Sequence, residues 1–229
     1  MRGLIFAISL LWVSIAAAQD MTGGRLTVTG EGRVDSAPDM ATITLGVTAQ
    51  AGTAAEALRE TSKATAEVLA LLTKAGLKSR DIQTRDLSLS PLWNNSSSSS
   101  QPKISGYQAG NTVMVRVRAL DNLGVILDDV VQGGANQFHG LSFGLQNPGP
   151  VQDDARRAAV AEALRKAKLY AEAAGIALGP VLELHEAGGG ALQPEMMSRM
   201  AAVAVAVPVA QGEVSTVARV TMVFQIGAP

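Results

Sequence analysis

Met196, Met197 and Met200, set around Ser198-Arg199, form the one locally unusual chemical cluster in the sequence. Thioether sulfur is a soft ligand suited to Cu(I), and it is also readily and reversibly oxidised. Three such groups could hold copper or absorb oxidant. They could equally form an apolar patch that packs on the domain or on a neighbour, and packing is the preferred reading. His139 and His185 are the only two histidines, and at 46 positions apart they define no site. His139 follows Phe138 in an alternating segment, which turns it to the opposite face of a strand. His185 stands between Glu183 and Glu186. Asp153-Asp154 are paired acids near the start of a helix, where the macrodipole and capping account for them without a metal. Gly30-Glu31-Gly32 resembles part of a dinucleotide fingerprint, but it lies within a strand and lacks the third glycine. A bulge or a close backbone approach is the better expectation.

The composition closes further routes. Cysteine is absent, which removes disulfides, thiolate metal sites and thiol nucleophiles. No G-x-S-x-G, H-E-x-x-H or P-loop pattern occurs. Nineteen basic and twenty acidic residues leave a net charge of -1, without the basic surplus that nucleic-acid binding requires. The expectation is therefore a protein that is not an enzyme, with no catalytic residue and no cofactor. Met196, Met197 and Met200 are its sole metal candidates.

The elements that would position these residues read clearly. Residues 26–34 and 41–47 alternate apolar and polar side chains as half-buried strands do, with a turn at Ser36-Ala37-Pro38-Asp39 between them. Thr53 and Glu56 form a capping box ahead of an Ala-rich helix that places Leu58, Thr65, Leu69 and Leu72 on one face and stops at Gly76. Alternation resumes over residues 81–92 through Ile82, Leu87 and Leu89. A Ser-rich loop near 94–103 carries overlapping N-x-S sequons at Asn94 and Asn95, expected from composition alone. Val113, Val115 and Val117 alternate with Met114, Arg116 and Arg118, a strand with one basic, solvated face. Asp121 caps a short helix with Leu123, Ile126, Leu127 and Val130 inward, ending at Gly133-Gly134. A strand over residues 138–145 comes next, and then the break at Asn147-Pro148-Gly149-Pro150. A second long helix, residues 151–174, places Val160, Leu164, Ala167, Ala171 and Ala174 on one face, with Glu162 and Lys166 paired on the wet side. Gly175 closes it. A short strand over 181–185, a poorly structured stretch near 188–212 and a last strand over 214–226 complete the chain. The apolar run 201–210 would, if uncovered, mark an interaction site.

Helix-Ala75-Gly76-Leu77-strand-strand is echoed by helix-Ala174-Gly175-Ile176-strand-strand. The predicted class is α+β: a largely antiparallel sheet with two long Ala-rich helices and one short helix, in duplicated β-α-β-β halves sharing the sheet.

Residues 1–18 read as a cleaved export signal, with Arg2 ahead of an apolar run of about a dozen residues, too short to span a bilayer, and Ala16-Ala17-Ala18 at the cleavage point. Losing Arg2 takes the basic count from nineteen to eighteen against twenty acids, a net charge of -2. The expected mature chain, 19–229, is a single domain with flexible loops near 94–103 and 188–212 and no transmembrane segment. Its lack of thiols suits an oxidising compartment.

The order of segments resembles the SIMPL-domain family, which includes periplasmic immunogenic and oxidative-stress-defence proteins. The resemblance rests on Val28-Thr29-Gly30-Glu31-Gly32, Pro38-Asp39, Asp81-Ile82-Gln83-Thr84 and Leu87-Ser88-Leu89-Ser90-Pro91. It continues through Gly106-Tyr107, Asn111-Thr112-Val113, Gly133-Gly134-Ala135-Asn136, Phe143, Ala155-Arg156, Lys166-Ala167-Lys168, Ala174-Gly175 and Gly212-Glu213. The aromatic expected after Pro91 is displaced to Trp93. The resemblance implies an α+β domain, a periplasmic or secreted location and homo-oligomers, some of them large rings or channels, and it carries over no catalytic residues. It leaves three functional readings. The first is a self-associating envelope protein contributing to oxidative and envelope stress tolerance. The second is a methionine-loop protein handling metal or oxidant. The third is an adaptor for another envelope protein, by analogy with mammalian members that associate with a kinase.

Overall fold

The computed structural model describes residues 23–94, 102–187, 193–195 and 209–228. In chain order the elements are β1 (Gly24–Ser36), β2 (Met40–Ala51), α1 (Ala54–Lys74), β3 (Ile82–Asn94), β4 (Lys103–Val117), α2 (Leu123–Gln132), β5 (Gln137–Gly144), α3 (Gly149–Ala174), β6 (Ala177–Ala187), β7 (Gln193–Glu195) and β8 (Glu213–Gly227). Short 3-10 turns at Ser79–Asp81 and Leu120–Asn122 lead into β3 and α2. The class is α+β, with three helices on antiparallel strands, as the sequence implied.

The strands form two sheets where the sequence reading expected one. The first has the order β1-β8-β6, with β7 also on β8, and the second β3-β4-β2-β5. All pairings are antiparallel. Within the second sheet, β2-α1-β3-β4-α2-β5 is a double split β-α-β, the ferredoxin-like arrangement. The first repeats the motif once: β1, α3 and β6 with β8 inserted between the two outer strands. The internal echo therefore has a physical basis, and the halves diverge beyond the hairpin, where the inner unit adds α2 and β5. Gly76 (φ 86°) and Gly175 (φ 65°) end α1 and α3 in left-handed turns. Leu77 N–H bonds Leu72 O and Ile176 N–H bonds Ala171 O, the same helix-to-strand exit.

Each sheet has its own core. Ile43, Leu45 and Val47 of β2 and Val113, Val115 and Val117 of β4 pack against Val68 and Leu72 of α1 and the predicted face of α2: Leu123, Ile126, Leu127 and Val130. Val209, from the end of the 201–210 run, joins this core. Residues 201–208 of that run lie outside the described residues. In the other core, Val28, Val220, Met222 and Phe224 face Ala155, Ala159, Ala163 and Ala167 of α3.

Several faces and caps differ from expectation. Helix α1 buries Ala57, Thr61, Thr65, Val68 and Leu72, leaving Leu58 and Leu69 half-buried at the margin. Its rotation is set by Thr61, whose hydroxyl donates to the Ala109 carbonyl of β4 at 3.2 Å. Helix α3 buries alanines at every fourth position from Ala155 to Ala171, leaves Val160 and Leu164 flanking and exposes Ala174. The cause is Gly30-Glu31-Gly32. A Cβ on Gly30 would lie 2.1 Å from Ala159 O, and one on Gly32 2.0 Å from Ala155 O. Helix and strand backbones are nearly in contact there, and only a methyl-sized residue fits between. The strand pairs β8 without a register shift, so the motif is a close approach and not a bulge. Asp121 sits inside the 3-10 turn, and α2 starts after Asn122 without a side-chain cap. Pro148 precedes α3, and Asp153 and Asp154 bond Arg156 and Arg157 one turn on instead of capping. The stretch near 188–212 contains β7.

Candidate functional site

The inner unit, β2 to β5, is inserted between β1 and α3, so the chain crosses between the two sheets twice, at residues 37–39 and 145–148. Both crossings are tied together. Asp39 N–H bonds Gly144 O at 3.1 Å. Gln146 N–H donates to Asp39 Oδ1 at 2.7 Å, and its Nε2 to Asp39 O at 2.8 Å. Arg118, just past β4, donates to Gln146 Oε1 at 3.2 Å and forms a forked pair with Asp81, Nη2 to Oδ1 at 2.7 Å and Nε to Oδ2 at 3.1 Å. Asp81 is 5% exposed and Arg118 35%. The Arg118 hydrogen bond holds the Asp81 carboxyl below the usual carboxylate range, against the opposing effect of burial, and Asp81 in turn raises Arg118. The arrangement locks charge in place; its carboxylate and guanidinium already satisfy each other.

A second tie closes the bulged side of β2. Asn136 accepts from Thr48 N–H through Oδ1 and donates to Thr48 O through Nδ2, both at 2.8 Å, standing in for a strand residue. On the face of the first sheet away from α3, ion pairs run Arg25–Glu183 at 3.1 Å and Glu31–Arg219. Asp35 accepts from Ser215, which, ahead of Arg33, lowers its carboxyl. On the wet side of α3, Glu162 is drawn down to about 2 by Arg165 first, with Lys166 adding to it.

The two histidines lie on different sheets. His139 occupies the bulge of β5 between the pairs Thr44–Gly140 and Leu45–Phe138. His185 lies on β6 with Nε2 3.4 Å from Glu183 Oε2. Met196, Met197 and Met200 lie outside the described residues, as do residues 1–18 and Asn95. Among the described residues no group of three His, Asp or Glu side chains is placed to hold a metal ion, and no helix is long and apolar enough to cross a membrane.

What the structure leaves open is apolar. Leu87 and Leu89, through which the alternation of residues 81–92 runs, are 63% and 43% exposed. Helix α1 lies over β4 and β2 and reaches β3 only marginally, so the outer strand carries an uncovered face. Val181, Leu182 and Leu184 are likewise exposed on β6, at an edge of the other sheet. The signal for this was present in sequence only as strand periodicity; which strand falls at an edge depends on pairings between distant segments. The Asp39–Gln146–Arg118–Asp81 network was missed for the same reason, since Gln146 carries no local pattern.

Comparison with known proteins gives one family. The profile of SIMPL, described as a protein of unknown function (DUF541), matches residues 26–224. The chain is 39% identical over 212 residues to the 26 kDa periplasmic immunogenic protein of Brucella melitensis, covering 88% of this chain and 84% of that one. The same identity and coverage hold for its counterpart in Brucella abortus. It is 31% identical over 195 residues to the uncharacterized protein YggE of Escherichia coli K12, covering 84% of this chain and 78% of that one.

Proposed function

The chain belongs to the SIMPL family and is periplasmic like its Brucella relatives, and from that premise we propose that it is a non-enzymatic envelope protein that self-associates through its open sheet edges and contributes to tolerance of oxidative and envelope stress. The observation that carries the reading is the exposed apolar face of edge strand β3. An uncovered edge with Leu87 and Leu89 side by side is a template for another strand. Antiparallel pairing with β3 of a second copy, centred on Ser88, sets Leu87 opposite Leu89 of that copy and gathers all four leucines on one face, where they shield part of one another's surface. The non-enzymatic part is supported by the charged clusters, whose carboxylates are consumed in arginine pairs, and by the separation of the histidines.

Leu87→Lys/Leu89→Lys tests the association. Light scattering at micromolar concentration is expected to show an assembly for the parent chain and a smaller species for the variant. A strict monomer in both refutes it. The physiological part is tested by a deletion strain challenged with peroxide, copper and envelope stressors and complemented with parent or variant. Equal survival with and without the protein counts against it.

A further inference from the structure

Strand β4 alternates valine with polar residues, and its valines Val113, Val115 and Val117 point into the core beneath α1 and α2. Arg116 therefore projects from the face of the sheet away from both helices. The register sets Arg116 opposite Thr42 of β2, and Thr42 opposite Ser142 of β5. Directly paired residues share a face with Cβ atoms about 4.5–5.5 Å apart. One guanidinium and two hydroxyls thus form a row across three strands. Arg116 and Thr42 are half-buried and Ser142 is exposed. Among the described residues, none of the three side chains has a hydrogen-bond or ion-pair partner.

The charge around this row is unbalanced in one direction. Arg118 is spent on Asp81 and Gln146. Arg80 Nε stands 3.9 Å from Asp81 Oδ2. The Asp81 carboxyl, lowered first by the Arg118 hydrogen bond, also feels the fields of Arg80 and Arg116. Asp39, whose field reaches Arg118, brings a second carboxylate. Three guanidiniums therefore stand against two carboxylates, and Arg116 is the one whose donors stay open. Asp86 lies farther along the same face, opposite Thr112. A guanidinium fork by itself serves both oxygens of a planar carboxylate. The two hydroxyls beside it supply donors for a third oxygen, which a tetrahedral oxyanion has. We propose that Arg116, with Thr42 and Ser142, is a binding site for a phosphate group, free or carried on a larger molecule. The row lies on the sheet face opposite Leu87 and Leu89, which pair with Asn111 and Ala109 on the core side of β4, so the site does not rest on self-association.

Inorganic phosphate is the probe, mixed with the protein at constant ionic strength with chloride as the balancing anion, so that screening is the same in every sample. Binding is read from broadening of the phosphate phosphorus resonance, which works at any assembled mass. Saturable binding in the millimolar range is expected. Sulfate should displace phosphate, and acetate should need at least about fivefold more to do so. Arg116→Gln should weaken binding at least about tenfold and Thr42→Val about threefold. Arg59→Gln, on exposed α1 at the opposite side of the sheet, removes the same charge and should leave binding unchanged. An unchanged circular dichroism spectrum confirms the fold of each variant. Glycerol phosphate separates the two sources: binding as tight as that of phosphate supports a group carried on a larger molecule, and binding of phosphate alone supports the free ion. The proposal is overturned if broadening does not saturate, if Arg116→Gln binds as the parent does, or if Arg59→Gln loses as much. Acetate as effective as sulfate overturns the tetrahedral assignment.

Discussion

Gly32→Ala should unseat a helix. The added Cβ would stand 2.0 Å from Ala155 O and 2.4 Å from Ala159 N, both backbone atoms of α3 with no rotamer to yield. Ordinary contact begins near 3.4 Å, so α3 must retreat by about 1.4 Å at that point. A gap of about 0.5–1 Å already forfeits about a quarter to a half of the dispersion energy along a contact, and this retreat forfeits more; here it opens the whole row from Ala155 to Ala167, all fully buried. It also stretches the bond from Lys166 Nζ to Thr29 O, now 3.1 Å. Overpacking of a fitted core costs about 1–3 kcal/mol, and the rigid backbone on both sides puts this site at about 3. For a chain of this length that lowers the melting temperature by about 6–12 °C. Gly52→Ala is the control: nothing lies within 4 Å of its Cβ, and a change within about 1 kcal/mol is expected. Urea titration of both variants, followed by circular dichroism, decides the matter. A Gly32→Ala midpoint within error of Gly52→Ala would refute the close-approach argument and return the Gly30-x-Gly32 pattern to some other role.

Two further outcomes come from the ties around the inner unit. Asp81→Asn removes the charge that Arg118 grips. It should cost about 1–2 kcal/mol at neutral pH, less than the 3–5 of a fully buried pair because Arg118 stays about a third exposed. Folding lowers the Asp81 pKa, so the parent's extra stability is complete above the unfolded carboxylate value, about pH 4, and drains away as pH falls through the lower folded value. Urea midpoints measured from pH 6 to pH 2 should therefore fall more steeply for the parent than for Asp81→Asn, and parallel curves would contradict the assignment. Asn136→Ala strips both partners from the Thr48 backbone and should cost about 1–2 kcal/mol, with faster hydrogen exchange at the Thr48 amide. Unchanged exchange would mean that another group satisfies that edge.

What the sequence made legible and what it hid divide along a physical line. Strands such as β2 and β4 announce themselves because alternation is local, and so do the caps at Thr53, Gly76 and Gly175. The short helix α2 was readable to the residue for its buried face, since four aliphatics crowd one stripe. Helix α3 was not, because Val160 and Leu164 outweigh alanine on any hydrophobicity count. Its true face is chosen by two glycines more than a hundred residues earlier. The division into two sheets rests on β1 meeting β8 and β2 meeting β4 and β5, which no local window contains. The open character of Leu87, Leu89 and Trp93 was hidden for the same reason: exposure belongs to the topology, and periodicity reports only that a face exists.

The insertion of one unit inside another also sets a timetable. Strand β1 leaves the ribosome early, but its partner β8 is among the last segments made, as the pairing of Gly24 with Ile226 requires. Apart from Val209, the described residues that form the core of β2 to β5 lie between Met40 and Gly144, so most of that unit can close while the other sheet is still missing its central strand. Long-range pairing of this kind is slow, and during the delay β1 is an unpaired strand whose Gly30 and Gly32 offer nothing to hold it. A chain cut short before β8 would carry a complete inner fold and a bare N-terminal strand, a ready substrate for proteolysis or misassembly.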